Sequence, residues 1–257
     1  MIKLTALHAG YKNYSVLQGI DLHITQGEFT GILGPNGSGK TTLIRTLSGI
    51  LPPISGTIHV HGQNLYTLSP KKRARLCATV PQNQNGYSGI TVRNLVMMGR
   101  YAHSKFLGGY PAEDHAKVEH ALAITDSQDL SDRMSETLSG GELQRVMLAR
   151  ALAQEAPIML LDEAASNLDA ARTIELYSQL RTCNAQGMTI LTVAHDLNLA
   201  ALYCQRLIFL KHGRIVCDGP TRDVFTAINL SRIYETEIIV ASHPTLDAPQ
   251  AHLLPRL

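Results

Sequence analysis

The chain has 257 residues, 44% hydrophobic and 17% charged, with a formal net charge of +2. That length suits one α/β domain carrying a subdomain around a large core. The balanced charge leaves no footprint for nucleic acid, and no apolar run is long enough to span a bilayer or to act as a secretory signal. Cys77, Cys183, Cys204 and Cys217 are far apart and form no CxxC pair, which suits reduced thiols.

Apolar or alternating runs at 2–7, 20–25 and 28–33 predict strands. The third runs into GPNGSGK, and a helix over 41–51 follows, closed by Gly49 and Pro52-Pro53. GTIHVHG (56–62) predicts a short strand. Ser69 is expected as an N-cap with Pro70 at the first helical position. The basic run KKRAR (71–75) then reads as a solvated helix face. CATVPQ predicts a strand ended by Pro81. From about 91 the pattern turns helical, in TVRNLVMMGR, AEDHAKVEHALAI and GELQRVMLARALAQ. This predicts a helical subdomain over residues 83–155, inserted into a sheet domain. Strand and helix then alternate: PIMLLDE, a helix over 170–183, MTILTVAH, DLNLAALYC. RLIFLKHGRIVCDG predicts a hairpin turning at His212-Gly213. Two short helices and a strand are expected up to residue 240. The tail over 241–257, with three prolines, is expected as loop. The fold class expected is α/β, with a mainly parallel sheet and an N-terminal antiparallel β subdomain.

GPNGSGKT (34–41) matches G-x-x-x-x-G-K-[ST] between a predicted strand and helix. Gly34, Gly37 and Gly39 let backbone N–H groups close around phosphate oxygens. Lys40 reaches the β- and γ-phosphates, and the Thr41 hydroxyl can ligate Mg²⁺. IMLLDE supplies the acidic partner: Asp162 emerges at the C-terminal end of a buried strand, where ligands bind in open α/β sheets. It is expected to hold Mg²⁺, and Glu163 to orient and deprotonate an attacking water. A second anion-binding helix start is suggested by TLSGGELQR, where Gly140-Gly141 precede a helical run.

The order of these motifs resembles the nucleotide-binding subunit of ATP-binding cassette (ABC) transporters, over residues 2–240. LSGGE (138–142) is similar to the family's signature motif, VPQ to its glutamine loop, SNLD (166–169) to the loop after the catalytic glutamate, and VAHD to its switch histidine. The resemblance implies that Tyr11 stacks on adenine. Gly34, Pro35, Asn36, Gly37, Ser38, Gly39, Lys40, Thr41 and Thr42 would hold the phosphates. Thr41, Gln82 and Asp162 would surround Mg²⁺, and His195 would contact the γ-phosphate. It further implies a head-to-tail pair of copies. In that pair Leu138, Ser139, Gly140, Gly141 and Glu142 of one copy close over the ATP of the other, with Asp169 at its family position. One departure is Ala164-Ala165, where the family usually has Pro-Thr; this removes a φ constraint and a hydroxyl from the loop.

VMMGRYAH (96–103), YPAEDHAKVEHAL (110–122) and HDLNLA (195–200) resemble importers of iron–siderophore, haem and cobalamin. The implied partners are a polytopic membrane permease, docking near Gln82 and residues 83–110, and indirectly a substrate-binding protein, with no nucleic acid. The chain would then sit at the cytoplasmic face of the inner membrane. Iron-siderophore or haem import is the leading expectation, with cobalamin as an alternative. A soluble ABC ATPase of repair or translation belongs to a different class; the chain has neither an extended heptad run nor a second phosphate loop.

Overall fold

The structure is a computed structural model and describes residues 1–12, 14–82, 86–104, 109–165 and 168–254. In chain order its elements are β1 (Ile2–Tyr11), β2 (Tyr14–Ile24), β3 (Phe29–Leu33), α1 (Lys40–Leu47), β4 (Pro53–Val60), β5 (Gln63–Asn64), α2 (Pro70–Ala74), β6 (Cys77–Val80), α3 (Val92–Met97), α4 (Ala112–Ile124), α5 (Gly140–Ala153), β7 (Ile158–Asp162), α6 (Ala170–Ala185), β8 (Thr189–Val193), α7 (Leu197–Tyr203), β9 (Arg206–Lys211), β10 (Arg214–Pro220), α8 (Thr221–Val224), α9 (Ala227–Tyr234), β11 (Ile238–Ser242) and β12 (Pro249–Leu253). They gather into two compact units, Met1–Thr67 with Thr189–Leu257, and Leu68–Met188.

In the first unit an antiparallel sheet runs β2-β1-β4-β5, as expected for the N-terminal β subdomain. β1 and β2 are longer than the predicted runs. The reason is a bulge at Ala6 (φ +44°), whose N–H donates to Asp21 Oδ1 at 2.8 Å. Beyond it, in-out alternation slips by one residue, so a period-2 reading stops at Leu7 although pairing continues to Tyr11. The other strands run β10-β9-β3-β8, with β9, β3 and β8 parallel. β3 and β8 are buried at every position, which explains their unbroken apolar character. α1 stops at Leu47, earlier than predicted, because Gly49 (φ +77°) turns the chain and the N–H groups of Ile50 and Leu51 return to Arg45 O.

The tail differs from expectation. Residues 249–253 form β12, paired with β11 from Ile238↔Leu253 to Ser242↔Pro249. The prolines do not oppose this. Pro244 lies in the connecting loop and Pro249 is the first residue of its strand, a position that proline tolerates; Pro255 lies outside the described residues. The loop closes through His243 N–H to Ala248 O at 2.8 Å.

In the second unit β6 and β7 are parallel, and α3, α4 and α5 pack together. α5 buries Val146, Met147, Leu148 and Ala149 in succession, a helix enclosed on all sides. A tight turn over 98–102 lies directly on it, since a Cβ at Gly99 would stand 2.3 Å from Arg150 O. Arg100, 4% exposed, bonds Asp114 of α4 at 2.7 Å, Ala153 O at 2.7 Å and Glu155 at 2.8 Å. The VMMGRYAH and YPAEDHAKVEHAL stretches therefore meet in one buried ion pair. Ser69 and Pro70 begin α2 as predicted. The basic run is not simply a solvated face, however. Lys71 donates to Ser104 O at 2.7 Å and lies over the Tyr101 ring, and Arg75 donates to Ala102 O at 2.9 Å. These bonds hold the segment after α3.

Candidate nucleotide site

β3 ends at Leu33, and the chain enters the loop that leads into α1. Gly34 has φ +142°, and a Cβ there would stand 2.0 Å from Leu210 O, so β9 admits only glycine. Lys40 is 5% exposed and folds into the loop, its Nζ donating to Gly34 O at 2.8 Å and Pro35 O at 3.1 Å. α1 begins at Gly39 with no side-chain cap and no acidic residue in its first turn, so nothing at this end competes with an anion. Ser38 Oγ is buried and has no hydrogen-bond partner among the described residues. Asn36 and Gly37 are exposed, Thr41 is half-buried and Thr42 is buried. A glycine loop, a central ammonium and an orphaned hydroxyl fit a phosphate chain.

The turn at His212-Gly213 braces this loop, a role the sequence did not signal. Gly213 N–H donates to Ser38 O at 3.1 Å, and Gly213 O accepts from Gln18 N–H of β2 at 2.9 Å. A Cβ at Gly213 would stand 1.8 Å from Val16 O. His195 follows β8, which pairs in parallel with β3 up to Ile32↔Val193. The His195 and phosphate loops therefore leave the same end of the sheet. His195 is exposed, and Asp196 caps α7 behind it. Tyr11, 42% exposed, ends β1, and its hydroxyl accepts from Arg45 Nη1 of α1 at 3.1 Å; Tyr14 opposite is 73% exposed.

The second unit carries the other expected residues. Asp162 ends β7 and is 4% exposed. Glu163 follows at φ +53°, a left-handed conformation that side chains disfavour and that concentrates at functional sites. Gln82 Nε2 donates to Glu163 Oε2, joining two residues that the sequence placed in one site only through family resemblance. Ala164 is buried, and Ala165 O accepts from Leu168 N–H at 3.2 Å, which closes the loop without proline. Ser166 and Asn167 lie outside the described residues. Asp169 caps α6, its Oδ1 accepting from Arg172 N–H at 2.8 Å.

Leu138 leads into the start of α5, where Gly140 and Gly141 are the first helical residues rather than a turn before the helix. Ser139 is the N-cap. Its Oγ accepts from Glu142 N–H at 3.3 Å, and Glu142 Oε2 accepts from Ser139 N–H at 2.7 Å, a complete capping box. These bonds, from the Ser139 backbone first and then its hydroxyl, together with Arg133 at 2.7 Å, hold the Glu142 carboxyl down at about 2. Ser139 and Gly140 are exposed, and no atom stands where a Gly140 side chain would project.

A glycine loop between a parallel strand and an uncapped helix, with an acidic pair ending a buried strand, defines a phosphate-loop nucleotide-binding protein. Residues 17–166 match the ABC transporter family, and the chain belongs to it. The sequence is 38% identical to the ferric enterobactin transport ATP-binding protein of Escherichia coli (strain K12), over 95% of this chain and 90% of the other. The fold matches an inward-facing metal-chelate type ABC transporter with TM-score 0.84 and 26% identity, over 100% of this chain and 97% of that one. It also matches a dimeric, post-hydrolysis ATP-binding cassette bound to ADP and phosphate, with TM-score 0.77 and 28% identity, over 86% and 99%. The chain is an ATP-binding and ATP-hydrolysing cassette. Among the described residues no helix is long and apolar enough to cross a membrane.

Proposed function

We propose that this chain powers import of a ferric siderophore, as one of two copies bound to a membrane permease at the inner membrane's cytoplasmic face. The observation that carries the reading is the similarity to a ferric enterobactin transport protein along 95% of the chain. The stretches VMMGRYAH and YPAEDHAKVEHAL, whose resemblance narrows the class in sequence, support it. The permease contact is assigned to the second unit around 86–104; residues 83–85 and 105–108 of the expected surface lie outside the described residues.

In this reading Tyr11 stacks on adenine, and residues 34–42 bind the phosphates with Lys40 at the β/γ end. The hard oxygen donors Thr41, Gln82 and Asp162 suit Mg²⁺, which when bound neutralises phosphate charge. The Glu163 carboxylate takes a proton from the water that attacks the γ-phosphorus, and His195 steadies the transferring group. The Gln82–Glu163 hydrogen bond supports a link between the permease-facing segment and the general base. In the second copy, Ser139, Gly140 and Gly141 serve this copy's ATP, and the exposure of Ser139 and Gly140 on the single chain supports that role.

The test is uptake of radiolabelled ferric siderophore, haem and cobalamin in a strain lacking the gene. Siderophore uptake should vanish and return with the intact gene. Unchanged siderophore uptake, or co-purification with ribosomes or DNA in place of a membrane protein, would overturn the proposal.

A further inference from the structure

The loop bearing His195 runs straight into α7, seven residues long. A helix that short is marginal alone and takes its position from tertiary contacts. Its first turn is held from two sides through Asn198. On one side Asp196 Oδ1 accepts the N–H groups of Asn198 at 2.8 Å and Leu199 at 3.0 Å. On the other the Asn198 side chain grips a single position of β12. Its Nδ2 donates to Ala251 O at 3.2 Å, and its Oδ1 accepts from Ala251 N–H at 2.7 Å.

A carboxamide offers a donor and an acceptor side by side, as the edge of a neighbouring strand does. Asn198 therefore completes the outer edge of the C-terminal hairpin. That hairpin is anchored independently. Ile238 N–H donates to Ser231 Oγ of α9 at 3.0 Å and Asp247 pairs with Arg222 of α8, while within the loop the His243 ring accepts the N–H groups of Thr245 and Leu246, each at 3.2 Å. A continuous line of bonds thus leads from α8 and α9 through β12 and Asn198 to the cap beside His195.

We propose that Asn198 is a positioning residue through which the C-terminal hairpin fixes the start of α7, and with it the stance of His195 during hydrolysis. The proposal rests on the reading of His195 as the γ-phosphate partner. Its effect belongs on turnover and not on nucleotide capture, because the Asn198 bonds run to Asp196 and Ala251 and not to residues 34–42.

The test uses the full chain with Asn198→Ala and Asn198→Asp, each checked by thermal melting. Asn198→Asp keeps the acceptor for Ala251 N–H but sets a carboxylate against Ala251 O. A fall in kcat of roughly ten- to a hundredfold is expected for Asn198→Ala, the scale of a displaced catalytic group. ATP affinity, measured with a fluorescent nucleotide, should stay within about twofold. In single turnovers, Asn198→Ala should add nothing to His195→Ala. If His195→Ala leaves kcat intact, the reading of His195 fails and this proposal falls with it. If His195→Ala is slow while folded Asn198→Ala and Asn198→Asp turn over normally, only the role of Asn198 is refuted. Effects that multiply in the double variant would refute it too.

Discussion

Glu163 occupies the left-handed region at φ +53°, which costs a side-chain-bearing residue roughly 1–2 kcal/mol. In the proposed role of Glu163 as general base that cost serves activity, so stability and activity should separate here. Glu163→Gln keeps the backbone and shape but has no base. Phosphate release should fall by about 10²–10⁴-fold while equilibrium ATP binding persists. Glu163→Gly should be as inactive yet melt at a higher temperature. The acidic pair was legible in sequence because an apolar run delivers Asp162 to a strand end. Gly213 was not, because its importance lies in the close approach of Val16 and Ser38 from distant parts of the chain.

At the scale of elements, the second unit depends on a buried charge. Arg100→Leu would leave Asp114 without its partner in a site where both side chains are about 5% exposed or less. Breaking such a pair costs about 3–5 kcal/mol, which urea unfolding should register. The start of α5 has its own pH signature. The Glu142 carboxyl is held at about 2 in the fold, against an unfolded value of about 4.3, so its contribution is complete above pH 4.3 and is lost as pH falls toward 2. Glu142→Gln preserves a capping side chain but does not titrate. Stability measured against pH should therefore lose part of its acid slope in that variant.

Most elements were legible from period and cap alone: α4 matches AEDHAKVEHALAI residue for residue. What escaped was pairing that local pattern conceals. The Ala6 bulge broke alternation inside a continuous strand, and prolines at tolerated positions made β12 look like loop.

For the whole molecule, the proposed pairing turns on the exposed α5 start. Ser139→Arg should spare ATP binding by the single chain and abolish ATP-driven dimerisation and hydrolysis, read by sedimentation and phosphate release. Replacing the cap itself costs about 1 kcal/mol. Ser139→Asn, which keeps a cap, is the control: if it dimerises normally while Ser139→Arg does not, intrusion at the interface is the cause. Dimerisation and turnover intact in Ser139→Arg would refute the paired site.

The turn at His212-Gly213 also bears on how this chain can be rebuilt. Hairpin tips are ordinarily where proteins accept tags, new termini and inserted domains. Here the tip is wedged between β2 and the phosphate loop, so even one added residue would pull away the hydrogen bonds to Gln18 and Ser38. The hairpin between β9 and β10 is a keystone, and lineages that lengthen it would have to redesign the phosphate loop with it.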